Sequence, residues 1–195
     1  MKKLILTLLL CISVHNIYSQ DKVVLDGVTM PRSITYDDKK VQLNGFGIRS
    51  KMWVDVYVQA LYLTNLSQDP KYILDSEQPM AVRIEITSSL VTSKKLSKAL
   101  YKGIEKSVGG EEKIRPIKAH VDKLEELVNL EVTKEKDVFI LGYNPQDSSI
   151  MIYKNDVLRG KINGGKDFKK AFFGIWLSED PVDKDLKNDL LGIGN

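Results

Sequence analysis

One arginine and one tyrosine in the first third of the chain have the types and the spacing to hold an anion. Arg49 follows the segment Asn44-Gly45-Phe46-Gly47, whose glycines let the backbone turn or approach a neighbour closely. Such a backbone could aim the guanidinium inward, where it needs an anion. Tyr57 lies in the run after Arg49 that alternates between two faces, which predicts a strand with the tyrosine opposite the valines.

Two longer segments resemble a known family. They are LNGFGIRSKMWVDVYVQALYL at 43–63 and AFFGIWLSEDPVDKDLKNDLLG at 171–192. In this order they are similar to the bacterial branch of the chalcone isomerase-like family, and the likeness covers most of the chain after residue 22. That family contains plant isomerases that cyclise chalcones, non-catalytic relatives that bind fatty acids, and bacterial secreted members without an assigned activity.

The resemblance implies a role for each of the two residues. Arg49 matches the arginine that the family uses against an anionic oxygen, through the pattern G-x-G-x-R. Tyr57 matches a position where the fatty-acid-binding relatives have a tyrosine and the isomerases a threonine. An arginine and a phenol can bind both oxygens of a carboxylate. We therefore predict that Arg49 and Tyr57 bind the head group of a fatty acid or similar amphipathic anion, in a pocket between sheet and helices.

The same resemblance argues against chalcone cyclisation. The isomerases also need a tyrosine and an asparagine on the helix after the central strand, and the matching positions here are Ser93 and Leu100. The chain is therefore interpreted as a non-catalytic binder. Two alternatives stay open, namely an isomerase of the intramolecular lyase type acting on an unknown small molecule, and an envelope structural or interaction protein.

Each site residue also has a structural interpretation that needs no ligand. Arg49 could be a surface arginine paired with Asp55 or Glu85. Tyr57 could pack under a helix with its hydroxyl at the rim, as buried tyrosines commonly do. His120, the one histidine after residue 19, is set among charged residues and is predicted to face solvent.

The N-terminus predicts secretion. Lys2 and Lys3 precede the apolar run Leu4 to Val14, which is too short to span a bilayer, so residues 1–19 are interpreted as a signal peptide. We expect a periplasmic protein that consists of one domain over residues 20–195. Cleavage would remove Cys11, the only cysteine, so no thiol would remain for a disulfide, a zinc site or catalysis. No metal and no cofactor are predicted.

Charge excludes nucleic acid as an expected partner. The 29 basic residues become 27 when Lys2 and Lys3 are removed, against 26 acidic residues, and the two signs are interleaved along the chain. The oligomeric state has no signal in the sequence.

Hydrophobic periodicity predicts strands, then helices, then strands, then helices. This order indicates an α+β fold with an antiparallel sheet. Within it, Met52 to Leu63 is expected to be one long strand, and Pro181 is expected to lie in the first turn of a last helix through Asp183 to Leu191. The family resemblance implies an open-faced β-sandwich in which a large curved antiparallel sheet is covered by helices.

Overall fold

The computed structural model describes residues 22–194, and the predicted signal peptide lies outside them. Within these residues, nine strands form two antiparallel sheets, a separate hairpin of β1 and β2 and a seven-stranded sheet in the order β3 to β9. The strands are β1 (Lys22–Leu25), β2 (Val28–Pro31), β3 (Ser33–Tyr36), β4 (Lys39–Lys51), β5 (Val54–Leu63), β6 (Met80–Ile86), β7 (Val138–Asn144), β8 (Ser149–Lys154) and β9 (Val157–Ile162). The predicted antiparallel sheet is therefore present.

Helices cover one face of the large sheet. They are α1 (Pro70–Asp75), α2 (Ser93–Val108), α3 (Glu111–Ile114), α4 (Lys118–Asn129), α5 (Gly165–Leu177) and α6 (Lys184–Leu190), with a 3-10 turn at Arg115–Ile117. Their apolar side chains share one buried cluster with inward residues of β5 to β9. The curled sheet with helices packed on it is the fold that was predicted.

The β1–β2 hairpin covers part of the other face. Val28 and Met30 of β2 are buried against Val58, Ala60 and Tyr62 of β5 in a second, smaller cluster. Because side chains alternate along a strand, β5 contributes to both layers, with Leu61 and Leu63 directed to the helices. Strand β5 is therefore central to the packing of the whole protein.

The prediction of one strand from Met52 to Leu63 is wrong at its start. Lys51 pairs with Val54, so Met52 and Trp53 form a two-residue turn between β4 and β5. Both have positive φ, at 49° and 70°. Both side chains are exposed, with exposed fractions of 83% and 103%. The pattern misled because neither residue is of a type that two-residue turns favour.

Helix ends follow their local chemistry. The Thr92 hydroxyl caps α2 by accepting from Lys95 N, and Gly109 ends that helix with a φ of 84°. The end of α1 is capped from a distance, because the buried Lys169 Nζ donates to the carbonyl oxygens of Ile73, Leu74 and Ser76 at 2.7–2.9 Å. That lysine is almost fully buried, and burial lowers its pKa to about 8.

Candidate functional site at the β4–β5 pair and helix α6

Arg49 and Tyr57 are directly opposite each other on neighbouring strands. Their Cα atoms are paired in the antiparallel register of β4 and β5. Opposite residues of an antiparallel pair direct their side chains to the same face. That face is the one covered by the helices, because Tyr57 packs against the larger buried cluster. The two residues that the sequence singled out are thus brought together.

Arg49 has an acidic partner within the protein. Its Nη1 donates to Oδ2 of Asp183 at 2.9 Å and also contacts the carbonyl oxygen of Ser50. The side chains of the arginine and the aspartate are 22% and 19% exposed, so the pair lies at the rim of the interior. Neither predicted surface partner holds the guanidinium, since Asp55 accepts from Ser50 and Glu85 pairs with Arg83.

Asp183 uses its second oxygen to begin helix α6. Oδ1 accepts from the backbone N–H groups of Asp185 and Leu186 at 3.0 and 3.2 Å, which is an N-cap. The prediction that Pro181 lies in the first turn is wrong, because the helix starts at Lys184. The segment Ser178 to Asp183, called here the acidic turn, leads directly into the N-terminus of this helix. One carboxylate therefore joins the start of α6 to the arginine of β4.

Tyr57 lies beneath helix α5. The indole Nε1 of Trp176 donates to its hydroxyl oxygen at 3.4 Å, and the tryptophan is almost fully buried. Burial raises the pKa of Tyr57, while the Trp176 hydrogen bond and the nearby Arg49 lower it by smaller amounts. The phenol therefore stays protonated at neutral pH and can donate a hydrogen bond to an anion.

Two glycines of β4 let helix α6 approach the sheet closely. A Cβ atom at Gly45 would overlap backbone oxygens of α6, and one at Gly47 would lie 2.5 Å from Oδ2 of Asp189. The predicted close approach at these glycines is confirmed, and α6 is the neighbour. Burial, followed by the charges of Asp185 and Asp183, raises the pKa of Asp189. The carboxyl groups of Asp183, Asp185 and Asp189 are thus close enough to influence one another electrostatically.

Gln59 adds a buried amide on the same face of the sheet. It is paired with Gly47 and lies two residues from Tyr57, so it is directed to the helix layer. Its exposed fraction is 0%, and neither its Oε1 nor its Nε2 has a hydrogen-bond partner among the described residues. An unpaired buried amide is costly, by about 1–3 kcal/mol. It is a group that a polar ligand atom would satisfy.

The two positions where the isomerases carry further catalytic side chains have other contacts here. The Ser93 hydroxyl donates to the carbonyl oxygen of Glu131 at 2.7 Å and accepts from Thr133 N, so it joins the start of α2 to the loop between α4 and β7. Leu100 is 5% exposed within the main apolar cluster.

The prediction that His120 faces solvent is only partly right, because its ring packs on Phe168 with the ring centroids 5.4 Å apart.

The described residues also contain a groove that is separate from this candidate site. It has a volume of about 540 Å³, is lined by residues of α1, α2 and α5, and does not include Arg49 or Tyr57. Residues 22–194 contain no group of three His, Cys, Asp or Glu side chains that could hold a metal ion. Within that range no helix has the length and apolar character needed to cross a membrane.

Sequence reasoning missed three members of this site. Gln59 had a signal, as a polar side chain inside an otherwise apolar strand and in phase with Tyr57. Asp183 and Trp176 had none, since they are more than a hundred residues from their partners in the chain. Only the packing of α5 and α6 on the sheet brings them to the arginine and the tyrosine.

Comparisons with known proteins agree with this architecture. A search of curated proteins gave no significant match. Among solved structures, the chain is similar to the crystal structure of an Arabidopsis thaliana fatty-acid binding protein, with a TM-score of 0.71 and 16% sequence identity over 89% of this chain and 97% of that one. At this identity the likeness shows the fold alone. The sequence model described as chalcone isomerase-like matches residues 22–192, and the chain therefore belongs to the chalcone isomerase-like family.

Proposed function

We propose that the protein is a non-catalytic binder of a fatty acid or similar amphipathic anion. Arg49 and Tyr57 bind the head group of that anion. The observation that carries the proposal is their direct cross-strand pairing on the face beneath the helices. A carboxylate there would accept from the guanidinium and from the protonated phenol. The solved relative of the same fold is named a fatty-acid binding protein, which supports this class of ligand.

Gln59 supports the same location for the ligand. The amide lies farther along the β5 face than Tyr57, away from the Arg49–Asp183 rim, and has no partner among the described residues. Its N–H donors could bind an oxygen of the anion that Arg49 and Tyr57 hold. The surrounding interior is apolar, with Leu61 and Trp176 in the main cluster. An acid with a hydrocarbon tail matches this combination of a polar end and an apolar wall.

Binding at Arg49 is proposed to exchange one anion for another. Asp183 now neutralises the guanidinium through Nη1, and a ligand carboxylate would take over that charge pair. We therefore propose that the acidic turn before α6 opens the site, and that the ligand anion takes over the contact with Arg49.

The experiment that tests the proposal measures binding of a panel of long-chain carboxylic acids to the wild type and to Arg49→Gln. We expect the variant to lose roughly 2–4 kcal/mol of binding free energy, because it lacks one desolvated charge pair with the ligand. Arg115→Gln is the matched control, since it removes an exposed arginine that pairs with Glu112. Circular dichroism shows whether each variant is folded.

Two results would contradict the proposal. The first is a wild type that binds none of the acids in the panel. The second is an Arg49→Gln variant that is folded and binds them as tightly as the Arg115→Gln control.

A second candidate function rests on the Arg49–Asp183 pair itself. If the arginine only fastens α6 to β4, the chain is an envelope structural or interaction protein without a ligand. In that case Arg49→Gln would lower the free energy of unfolding, and no carboxylic acid would stabilise the wild type. Thermal melts with and without added acid distinguish the two functions, because a ligand that binds the folded state raises the melting temperature.

The N-terminal segment of the chain supports a proposal about where the protein is located. We propose a bacterial protein with a signal peptide at residues 1–19 and one chalcone isomerase-like domain over residues 20–195, exported to the periplasm. The apolar run after Lys2 and Lys3 supports export. N-terminal sequencing of the protein recovered from the periplasm of its host would test it, with a new N-terminus near Ser19 or Gln20 as the expected result.

A further inference from the structure

The described residues contain four two-residue hairpin turns, and one of them has an unusual composition. A turn of this kind with positive φ at both positions favours Asn, Asp and Gly, because other side chains are strained there. Three of the turns have these residues and the fourth does not. The four turns are Asp26-Gly27, Asp37-Asp38, Asn155-Asp156 and Met52-Trp53.

The Met52-Trp53 turn violates two preferences at once. Both residues adopt left-handed backbone conformations, which bulky side chains rarely do. Both side chains are also fully open to solvent, with exposed fractions of 83% and 103%, so they contribute no packing that could offset the strain. Strain and exposure of this kind persist where the residues have a function. A contact outside the chain would account for both.

A second exposed loop is hydrogen-bonded to β5 close to this turn. Thr87 donates through its N–H to the carbonyl oxygen of Val56 and through its hydroxyl to that of Asp55, at 3.2 and 3.0 Å. Three residues later Leu90 is 58% exposed. The loop is therefore fastened to β5 two to three residues after the turn, and residues 50–55 and 87–95 together are called here the tip surface.

The tip surface has a net positive charge around its apolar residues. Lys51, Lys94 and Lys95 are exposed, and Asp55 is the one acidic residue in the two segments. An exposed tryptophan beside lysines suits the interface of a bilayer, where the indole lies at the level of the head groups and the ammonium groups contact lipid phosphates. The partner that complements this surface is thus a lipid bilayer, which has an apolar interior beneath anionic head groups.

We propose that the Met52-Trp53 turn inserts into the interfacial region of a membrane that contains anionic lipids. The turn projects from the end of the β4–β5 hairpin, so a deformable bilayer can surround both side chains without help from a shaped pocket. The lysines of the tip surface add electrostatic attraction to the lipid charge. The proposal stands independently of whether the protein binds a fatty acid at Arg49.

The test compares wild type with Met52→Asn/Trp53→Gly, which gives this turn the residues that its backbone favours. We expect the double variant to melt about 3–10 °C higher, because the strain is removed. We also expect it to bind vesicles of phosphatidylcholine and phosphatidylglycerol at least about tenfold more weakly, because two large apolar side chains no longer enter the bilayer. Greater stability with weaker binding cannot arise from misfolding.

Two further measurements make the outcome specific to the tip. Brominated lipids should quench the fluorescence of Trp53 in the wild type, whereas Trp176 is almost fully buried and supplies the baseline in the double variant. Leu66→Asn is the control, since it removes another exposed side chain beyond the opposite end of β5 and should leave binding unchanged. All proteins have the same N-terminus, and vesicles of phosphatidylcholine alone should bind the wild type more weakly.

Three results would overturn the proposal. They are a wild type that does not bind the anionic vesicles, a double variant that binds them as well as the wild type, and a wild type whose tip is buried in self-association. Sedimentation velocity detects the last, as a dimer that the double variant does not form.

Discussion

The two carboxylate oxygens of Asp183 make different contacts, one with Arg49 and one with the start of α6. The substitution Asp183→Asn removes the first and keeps the second. An asparagine keeps the oxygen that accepts from the N–H groups at the start of α6, and Asn is as good an N-cap as Asp. It loses the charge that neutralises Arg49. If a ligand carboxylate must replace Asp183, the variant should bind that ligand more tightly than the wild type does.

The size of the effect follows from the geometry of the pair. Its atoms are 2.9 Å apart, and both side chains are about one-fifth exposed, which lies between a surface pair and a buried one. Such a contact contributes about 1–2 kcal/mol. The wild type must give up that contact to bind the acid, and the variant has already lost it. The affinity should therefore rise about 5–30-fold, while the free energy of unfolding falls by a similar 1–2 kcal/mol.

The assay is calorimetric titration of a long-chain carboxylic acid into the wild type, Asp183→Asn and Asp180→Asn. Asp180→Asn is the matched control, because it removes an acid from the same turn that pairs with Lys106 and is 68% exposed. It should change neither affinity nor stability measurably. Adding Arg49→Gln to Asp183→Asn should abolish the gain. An Asp183→Asn variant that is folded and binds no more tightly than Asp180→Asn would refute the exchange of anions at Arg49.

Three further predictions concern a buried cation, a close approach and the absence of catalysis. Burial of Lys169 lowers its pKa to about 8, so from there up to the ordinary lysine pKa this side chain binds fewer protons in the folded protein than in the unfolded one. In urea titrations the free energy of unfolding of the wild type, measured relative to that of Lys169→Met, should therefore rise by about 2 kcal/mol from about pH 8 to 10; the comparison cancels the opposing effect of the tyrosines whose pKa burial raises. Gly45→Ala should cost about 1–3 kcal/mol of stability in the same assay, because its methyl group would overlap the α6 backbone, and an unchanged midpoint would contradict that packing. Hydroxylated chalcones should not cyclise measurably faster with the protein in a spectrophotometric assay, since Ser93 and Leu100 cannot organise the reaction, and turnover that depends on Arg49 would contradict this.

Local chemistry determined much of the fold. Three of the four two-residue hairpin turns carry Asp, Asn or Gly and were recognisable as turns, because those residues tolerate positive φ. Both ends of helix α2 lie at residues typical of helix ends, with Thr92 as the N-cap and Gly109 as the C-cap. The alternation along β5 also predicted that Tyr57 lies on the face opposite the valines. Each of these signals depends on neighbours within a few residues, and sequence contains that information directly.

Tertiary structure decided what the local signals could not. The Met52-Trp53 turn was hidden because two bulky apolar residues resemble a strand, and only the pairing of Lys51 with Val54 reveals the turn. The partner of Arg49 was hidden because Asp183 lies 134 residues away in the chain and meets it only when α6 packs over the glycines of β4. A sequence can show that an inward arginine needs an anion, because that follows from the cost of burying a charge. Which anion it meets depends on the packing of distant segments, and here that packing supplies Asp183.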